Sequence, residues 1–513
     1  MKVAIRTDAS NLIGSGHLTR CRTLADELRR RDAEVRFVCR LHPGNLVPSL
    51  RDAGYAVAAL PASAPGGEQA SGYATWLGVA QDEDAGETIE ALREFAPDCL
   101  VVDHYALDQA WERRLRPHAS RMLVIDDLAN RPHDCDVLLD QNWFGESTAR
   151  RYDGLLPEQC QRLLGPRYAV LHPLYAQLRK RLAPREGQVR NVLVFFGGVD
   201  SHDQTIEALY ALSDAACKDL AVDVVVGAMN SRVGEIGALV AKRANTRLHQ
   251  RLPSLAELMA GSDLMLGAGG TTTWERCCMG LPAIVVTASE NQCAATVALA
   301  VSGAQLLLGP AAEVQSGDWI NAIKSLRTAP QLVKSFAAAS SAITDGLGAC
   351  RLAAVLSAQA PHLRIRRASH CDEAQLLEWA NDPAVRSNAF SKDPIAPEAH
   401  HDWLRAKLQD PDCLLLVCED VYELPVGQVR FDCRHGEARI DVSVDAVYRG
   451  RGVGKEMLRH ALDMLRRDGR SESPVAEVLL GNDASRRLFL HSGFQPVAVH
   501  ENFLRFTLAE KTQ

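Results

Sequence analysis

The chain has 513 residues, of which 47% are hydrophobic, and its formal net charge is −7. This length is sufficient for about three domains of ordinary size. The acidic balance argues against a nucleic-acid-binding surface and against a basic membrane-docking patch, so the expected partners are small molecules.

The 14 cysteines are scattered and include no CxxC pair, which predicts neither a zinc site nor a disulfide framework. We therefore expect reduced thiols in a cytoplasmic protein. No signal peptide is expected, because Met1 and Lys2 lead directly into a strand pattern, and no apolar run approaches the roughly 20 residues that span a bilayer. The sequence indicates no oligomeric state.

Short apolar runs alternate with helical patterns in two series. The first series comprises residues 3–6, 35–39, 99–103, 122–126 and 137–140, and the second comprises 192–196, 222–227, 264–267 and 283–286. Alternation of this kind predicts parallel α/β sheets. We therefore expect two Rossmann-like lobes, residues 1–172 and 173–357, that face each other across a cleft and bind ligands at the carboxyl ends of their strands.

After a connector at 358–362 the pattern changes to a smaller α+β unit, residues 363–513. Residues 171–186 are expected to connect the two Rossmann-like lobes. No repeat of fixed period and no low-complexity tract interrupts this organisation.

His17 is the candidate catalytic base. It follows Gly14 and Gly16 at the start of a predicted helix, after the first strand. The glycines allow close approach of a ligand, and the positive end of the helix dipole disfavours imidazolium, so the ring should be neutral and able to accept a proton. The alternative is that His17 only occupies a polar first turn, with glycines that shape a loop.

The second lobe contains a candidate phosphate-binding turn at residues 267–275, where a strand leads through glycines into a helix start with three threonines. Glu275 lies about one turn into the helix, where a carboxylate could accept both ribose hydroxyls. The alternative is a capped helix with a favourably placed carboxylate. The expected UDP-binding residues are Gly197, Gly198, Gly269, Gly270, Thr271, Thr272, Glu275, Asn291 and Gln292.

Residues 1 to about 350 resemble the UDP-sugar hydrolases of pseudaminic acid biosynthesis, which are relatives of GT-B glycosyltransferases. The resemblance is carried, in chain order, by residues 6–8, 14–20, 102–105, 125–127, 136–142, 164–169, 196–200, 269–275 and 291–292. It implies a GT-B-like pair of lobes, UDP in the second lobe, His17 as the catalytic residue, and cleavage of the sugar C–O bond with inversion and water as acceptor.

A departing UDP is a stabilised anion, so one base and a preorganised positive pocket should suffice for this hydrolysis. The residues expected to orient the sugar or the water are Asp8, Asn11, Gly14, Gly16, Asp103, His104 and Tyr105. For the polar side chains among them, a loop-closing hydrogen bond is the alternative. No metal is expected, since the adjacent Asp126 and Asp127 should point to opposite faces of a strand.

The carboxyl-terminal unit contains a second motif, an R-G-x-G-x-G turn that opens a helix after a strand and is typical of a pyrophosphate cradle. With the later 482–489 and 493–494 segments it resembles the GNAT acyl-CoA N-acetyltransferases. The resemblance implies acetyl-CoA as cosubstrate, with its pyrophosphate on backbone amides. The expected acetyl-CoA-binding residues are Val444, Arg449, Gly450, Arg451, Gly452, Val453, Gly454, Asn482 and Ser485.

Residues 378–386 and 400–403 are similar to the GNAT subgroup that acetylates the 4-amino group of a UDP-linked aminosugar. Many relatives have a tyrosine that protonates the leaving thiolate, whereas this chain has Phe489, which cannot donate a proton. Water or Ser485 could replace the tyrosine, or the domain could bind ligand without catalysis.

Together the motifs predict a bifunctional enzyme that acetylates a UDP-linked aminosugar and then hydrolyses the product. Two alternatives remain open at this point. One is a GT-B glycosyltransferase with a GNAT appendage, and the other is a nucleotide-sugar sensor.

Overall fold

The computed structural model describes residues 1–62, 72–227, 230–357, 361–470 and 472–508, except the side chain of Asn291. The strands of these residues form three sheets. The chain divides into two compact units, residues 1–353 and 354–513, and the first two sheets belong to the first unit. Three residues of the predicted connector, 358–360, lie outside the described residues.

The first sheet has seven parallel strands in the order β3-β2-β1-β4-β5-β6-β7. Its residues in β1 and β4 are buried almost throughout, as expected for a parallel sheet covered on both faces. Its strands and helices, in chain order, are β1 Lys2–Thr7, α1 Gly16–Arg30, β2 Glu34–Arg40, α2 Val47–Asp52, β3 Ala56–Leu60, α3 Gln81–Leu92, β4 Cys99–Asp103, α4 Gln109–Leu115, β5 Arg121–Ile125, β6 Val137–Asp140 and β7 Gln161–Leu164.

The second sheet has six parallel strands in the order β10-β9-β8-β11-β12-β13. Its elements, in chain order, are α5 Pro173–Arg179, β8 Asn191–Phe195, α6 Gln204–Leu212, β9 Ala221–Val226, α7 Val233–Lys242, β10 Thr246–Gln250, α8 Ala256–Gly261, β11 Leu264–Ala268, α9 Thr272–Cys278, β12 Ala283–Thr287, α10 Glu290–Val301, β13 Leu306–Pro310, α11 Ser316–Arg327, α12 Pro330–Ile343 and α13 Gly348–Leu356.

In both parallel sheets the strand order changes direction at one place. In the first sheet this switch lies between β1 and β4, and in the second it lies between β8 and β11. A crevice opens outside the carboxyl ends of the strands at such a switch, and ligands of doubly wound sheets bind there.

The third sheet is mixed, with the order β14-β15-β16-β17-β18-β20-β19. Its parallel pair, β17 and β18, is in register only between residues 437–439 and 473–475, so the two strands part towards their carboxyl ends. Its elements are β14 Leu363–Arg367, α14 Glu373–Asn381, α15 Pro383–Ser387, α16 Pro397–Gln409, β15 Cys413–Asp420, β16 Pro425–Arg434, β17 Glu437–Val444, α17 Val453–Arg467, β18 Ser473–Leu479, α18 Asp483–His491, β19 Phe494–Val499 and β20 Phe503–Leu508.

The predicted fold class, two Rossmann-like parallel sheets followed by an α+β unit, is confirmed. All nine predicted strands are present. All 14 cysteines are free thiols. Within the described residues, no helix has the length and apolar character needed to cross a membrane.

Candidate functional site

The crevice at the switch of the first sheet brings together residues far apart in the chain. Asp8 follows β1, Asp103 ends β4, and His17 lies in the first turn of α1. All three are buried, with His17 retaining 8% exposure. The predicted base thus lies at the carboxyl ends of the strands, where a ligand is expected.

Asp103 and Arg20 fix the imidazole of His17. Nδ1 of His17 lies 2.6 Å from Oδ1 of Asp103, and Arg20 donates to both oxygens of the same carboxylate at 2.7 Å. Burial opposes the charge on Asp103, but Arg20 and His17 outweigh it and hold the pKa of this carboxyl well below its usual range. The ionised carboxylate of Asp103 accepts a hydrogen bond from Nδ1–H of His17, which leaves Nε2 of the neutral ring as the proton acceptor. The carboxylate also stabilises the positive ring that forms when Nε2 takes a proton.

Two aromatic rings contact His17, and a third packs against these two. The edge of its ring meets Tyr105 at 4.5 Å and Trp76 at 5.7 Å between centroids, and these two stack on each other at 5.3 Å. Tyr73 packs against both at about 5 Å. Tyr105 was predicted, whereas Tyr73 and Trp76 were not. The sequence feature that could have identified them is the close spacing of two aromatic residues in a chain in which only 5% of residues are aromatic.

Asp127 links the base to the aromatic rings. It accepts hydrogen bonds from Arg20 at 2.7 Å, from the Tyr105 hydroxyl at 2.6 Å, and from the Asn142 amide at 2.8 Å. Burial, and next the Asp127 charge, raise the pKa of Tyr105 well above its usual value, so its hydroxyl stays a donor. The sequence interpretation assigned no role to Arg20, Asp127 or Asn142 at this site.

Asp8 and His104 form the floor beneath this network. Oδ1 of Asp8 accepts from Arg6 and from the Arg40 amide at 2.7 Å, and Oδ2 lies 3.3 Å from Nε2 of His104. Nδ1 of His104 accepts from the Ala106 amide at 3.1 Å, so Nε2 carries the proton of the neutral ring. The loops use Oδ1 of Asp8 and Nδ1 of His104, whereas Oδ2 of Asp8 and Nε2 of His104 are buried and make no hydrogen bond with the described residues. Sugar contact by these two residues therefore stays a prediction.

The loop between β1 and α1 holds the remaining predicted residues. Asn11 is exposed, its amide donates to the Pro43 carbonyl at 3.1 Å, and a Cβ on Gly44 would lie only 2.1 Å from its side-chain oxygen. Asn11 therefore joins two loops. Gly14 has a φ of +79°, and both it and Gly16 have open space where a side chain would stand, so the backbone here can approach a ligand.

The side chain of Asp126 has different hydrogen-bond partners from that of Asp127. It accepts from Arg131 at 2.8 Å and from the Tyr152 hydroxyl at 2.9 Å, and neither group contacts Asp127 through its side chain. In the described residues no group of three or more His, Cys, Asp or Glu side chains is arranged to hold a metal ion.

A cavity of about 290 Å³ lies at the switch of the second sheet. Of the predicted UDP-binding residues it is lined by Gly197, Gly198 and Gln292. The titratable side chains among the lining residues are Asp200 and His202, so the positive pocket expected for the diphosphate is not formed there by lysine or arginine. Asn291 lies in the first turn of α10, and its side chain is outside the described residues.

The glycine turn before α9 adjoins this cavity without lining it. A Cβ on Gly270 would lie 3.7 Å from the Gln292 amide nitrogen, and one on Gly269 would meet the Thr296 hydroxyl at 2.2 Å. Thr271 and Thr272 are at the helix start, and the Thr271 side chain makes no capping hydrogen bond. The Gly269 amide donates to the Val286 carbonyl at 3.0 Å and the Gly270 amide to the Thr273 hydroxyl at 3.2 Å. The groups left to face the cavity are therefore the amides and hydroxyls of Thr271 and Thr272 at the helix start.

Glu275 is half-buried one turn into α9, near the hydroxyl of Tyr175. Burial raises the pKa of its carboxyl to about 7, although the Tyr175 hydroxyl opposes this shift. The group therefore titrates close to neutral pH, and a pair of ligand hydroxyls would stabilise its charged form.

In the second unit, the glycine turn begins α17. Gly450 and Gly452 have φ of +76° and +74° and open space beside them, while a Cβ on Gly454 would lie 3.3 Å from the Val444 side chain. The side chain of Arg449 donates to the Val444 carbonyl at 2.9 Å and pairs with Asp382 at 2.9 Å. Backbone amides thus remain as donors at the turn.

The other predicted residues of this unit include helix-capping and core groups. Arg451 donates to the carbonyls of residues 354, 355 and 357, and Val453 is buried in the first turn of α17. Asn482 caps α18 by accepting from the Ser485 amide at 3.0 Å. Phe489 is 3% exposed and packs against Phe494 and Phe506, so it belongs to the core beneath α18.

Comparisons with known proteins give one domain match and several distant relatives. Residues 362–495 match the family described as acetyltransferase (GNAT) domain. The uncharacterized protein MJ1062 of Methanocaldococcus jannaschii is 21% identical over 96% of this chain and 97% of its own length. The UDP-2,4-diacetamido-2,4,6-trideoxy-beta-L-altropyranose hydrolase of Campylobacter jejuni is 23% identical over 52% of this chain and 84% of its own.

Among solved structures, MurG of Acinetobacter baumannii aligns with a TM-score of 0.49 at 14% identity, covering 69% of this chain and 99% of that chain. The sequence comparisons confirm the predicted GNAT domain. The GNAT domain match thus lies in the carboxyl-terminal part of the chain, and about half of the chain is similar in sequence to a UDP-sugar hydrolase.

Proposed function

We propose that the chain catalyses two consecutive steps on one UDP-linked sugar. The GNAT domain acetylates the 4-amino group with acetyl-CoA, and the two Rossmann-like lobes then hydrolyse the UDP-2,4-diacetamido-2,4,6-trideoxyhexose to free sugar and UDP. The observation that carries the hydrolase assignment is the buried 2.6 Å contact between His17 and Asp103, in a chain of which 52% is similar in sequence to a UDP-sugar hydrolase. The family match of residues 362–495 supports the acetyltransferase.

In the hydrolysis, Nε2 of His17 takes a proton from water. The water oxygen attacks the anomeric carbon, the bond from that carbon to the UDP oxygen breaks, and the configuration inverts. Asp103 holds the ring in the tautomer that leaves Nε2 free and stabilises the charge that develops on it. Arg20 keeps Asp103 ionised, so it is a positioning residue.

The nucleotide binds in the second lobe, at the cavity beside Gly197 and Gly198. With no lysine or arginine in the lining, the diphosphate accepts hydrogen bonds from the backbone amides of Gly197 and Gly198 and from the amides and hydroxyls of Thr271 and Thr272. Glu275 accepts the ribose hydroxyls in its ionised form. The Gln292 amide completes the phosphate end of the site.

In the acetyl transfer, the pyrophosphate of acetyl-CoA accepts hydrogen bonds from the amides of residues 449–454. The pantetheine enters where β17 and β18 part, beside Val444, and Asn482 and Ser485 lie at the start of the helix on its other side. Because Phe489 cannot donate a proton, water neutralises the departing thiolate.

The decisive experiment incubates the full chain with UDP-2-acetamido-4-amino-2,4,6-trideoxyhexoses, acetyl-CoA and ¹⁸O-labelled water, and resolves the products by mass. We expect acetylated nucleotide sugar, then free sugar that contains the label, and unlabelled UDP. Label in UDP would contradict C–O cleavage. Transfer of the sugar to an alcohol would favour a glycosyltransferase, and binding without turnover would favour a sensor.

A further inference from the structure

One face of the third sheet is polar where β16 and β17 pair. In β16 the residues Gly427, Val429 and Phe431 alternate with polar residues, and a Cβ on Gly427 would lie 2.5 Å from Met457 of α17. The apolar set therefore faces α17, and the polar set faces the opposite side of the sheet.

Helix α16 lies on this polar face. The guanidinium of Arg430 is over the Trp403 ring at 5.4 Å, and Lys407 pairs with Asp432 at 2.5 Å. The ring of His400 lies 5.2 Å from that of Trp403. His400 thus belongs to the same polar layer as the β16 side chains.

Two buried groups in this layer have hydrogen-bonding atoms without a partner among the described residues. His400 is 2% exposed, and neither of its ring nitrogens is hydrogen-bonded. Gln428 is 7% exposed, and its amide nitrogen donates to Asp441 at 2.8 Å, which leaves its carbonyl oxygen unpaired. Because a carboxylate only accepts, this contact fixes the orientation of the amide. Unpaired buried acceptors of this kind call for a ligand with N–H or O–H groups.

The polar layer adjoins the place expected for the acetyl group. Gln428 is opposite Ser443 in the register of β16 and β17, and Ser443 is near the carboxyl end of β17. At that end β17 has parted from β18, and the glycine turn that begins α17 follows within a few residues. Asp445, on the same face, accepts from the indole of Trp379 in α14 at 2.8 Å.

We propose that this layer is the acceptor site of the acetyltransferase, with His400 as the group that removes a proton from the acceptor's primary ammonium and Gln428 as an acceptor for one of its N–H bonds. The proposal rests on the acetyltransferase function and names its base. Burial lowers the pKa of His400, although Glu373 opposes this, so the ring is neutral and able to accept a proton.

His400 takes one proton from the ammonium group, and the neutral amine attacks the thioester carbonyl carbon. The C–N bond forms, the C–S bond breaks, and the second proton lost from nitrogen neutralises the coenzyme A thiolate through water. His400 returns its proton to solvent.

The test compares three variants of the full chain: His400→Gln, Gln428→Leu, and His401→Gln as the matched control. His401 is the neighbouring histidine, but it is exposed and pairs with Glu373. Calorimetry with acetyl-CoA reports whether the domain is folded and binds cosubstrate. Acetylation of UDP-2-acetamido-4-amino-2,4,6-trideoxyhexose, and binding of the same amine to the protein with coenzyme A, report on the acceptor site.

We expect His400→Gln to lower the acetylation rate about a hundredfold, Gln428→Leu to weaken amine binding about tenfold, and His401→Gln to change neither, all with normal acetyl-CoA affinity. Wild-type rates in His400→Gln would overturn the assignment of the base. Amine binding that is unchanged in all three variants would overturn the site. If the wild type binds the amine through these residues but does not acetylate it, the site stands and the proposed acetyltransferase activity fails.

Discussion

At the scale of single residues, the chemistry of the first lobe depends on charges that are buried together. His17, Asp103, Arg20 and Asp127 form one connected network with contacts of 2.6–2.7 Å. Removing one partner of a buried ion pair strongly destabilises the fold, because the other charge is left in the interior without compensation. A substitution in this network should therefore lower the hydrolysis rate without changing UDP affinity only if the new side chain has a similar shape.

His17→Asn keeps a polar side chain of similar size but removes the base. We expect the hydrolysis rate to fall about a hundredfold or more, with UDP affinity by calorimetry nearly unchanged and acetylation unaffected. Turnover equal to that of the wild type would remove His17 from the mechanism.

Asp103→Asn should also slow hydrolysis, by at least about tenfold, because the ring loses the group that fixes its tautomer. It also leaves Arg20 with Asp127 as its remaining carboxylate, so the melting temperature should fall as well. Thermal unfolding and single-turnover hydrolysis measure the two effects separately. An unchanged rate in a destabilised variant would assign Asp103 a structural role alone.

Glu275 gives a pH-dependent prediction. Its pKa is about 7 without ligand, and ribose hydroxyls bind the ionised form better, so UDP affinity should increase as the pH rises from 6 to 8. Glu275→Gln should abolish the part of this increase in affinity that comes from ionisation of Glu275. The change that remains in this variant is the control for the titration of UDP itself. Glu275→Ala should weaken UDP by about 1–3 kcal/mol. Equal pH profiles in the wild type and the Gln variant would place the ribose elsewhere.

At the scale of elements, the position of a strand in its sheet explains which strands the sequence predicted. The nine predicted strands of the two parallel sheets all occupy interior positions. The four that were missed are all edge strands: β3, β7, β10 and β13. Interior parallel strands are buried on both faces and form continuous apolar runs, whereas edge strands such as Thr246–Gln250 carry mixed side chains.

The turn before α17 provides a prediction at this scale. Gly452→Val should abolish acetyl-CoA binding, because its side chain would fill the open space beside the amides and its φ of +74° disfavours any side chain. Gly469→Val is the matched control, since Gly469 has a φ of +73° at the other end of the same helix. Equal loss of acetyl-CoA affinity in both variants would mean that strain, and not the cradle, is responsible.

At the scale of the whole molecule, two compact units carry the two sets of site residues. A mixture of His17→Asn and Gly452→Val proteins should therefore convert the UDP-linked amine and acetyl-CoA to free sugar, since each contributes the step that the other lacks. Neither variant should do so alone. Failure of the mixture, with each single activity intact, would mean that both steps require the same chain.

The sequence by itself determined the features that depend on neighbouring residues. The interior strands, the glycine turns at Gly14, Gly197 and Gly452, and the position of His17 at a helix start all follow from local pattern. The GNAT domain was predicted from two short motifs, because its turn needs glycines at fixed spacing.

Only the tertiary structure decided which groups meet at the sites. Asp103 is 86 positions from His17, and Asp127 is 107 positions from Arg20. The pairing arises because the carboxyl ends of neighbouring parallel strands share one edge of the sheet, whatever their separation in the chain. The buried contacts of Asp8 with the Arg40 amide and of Phe489 with Phe506 likewise join different elements, so no local pattern reveals them.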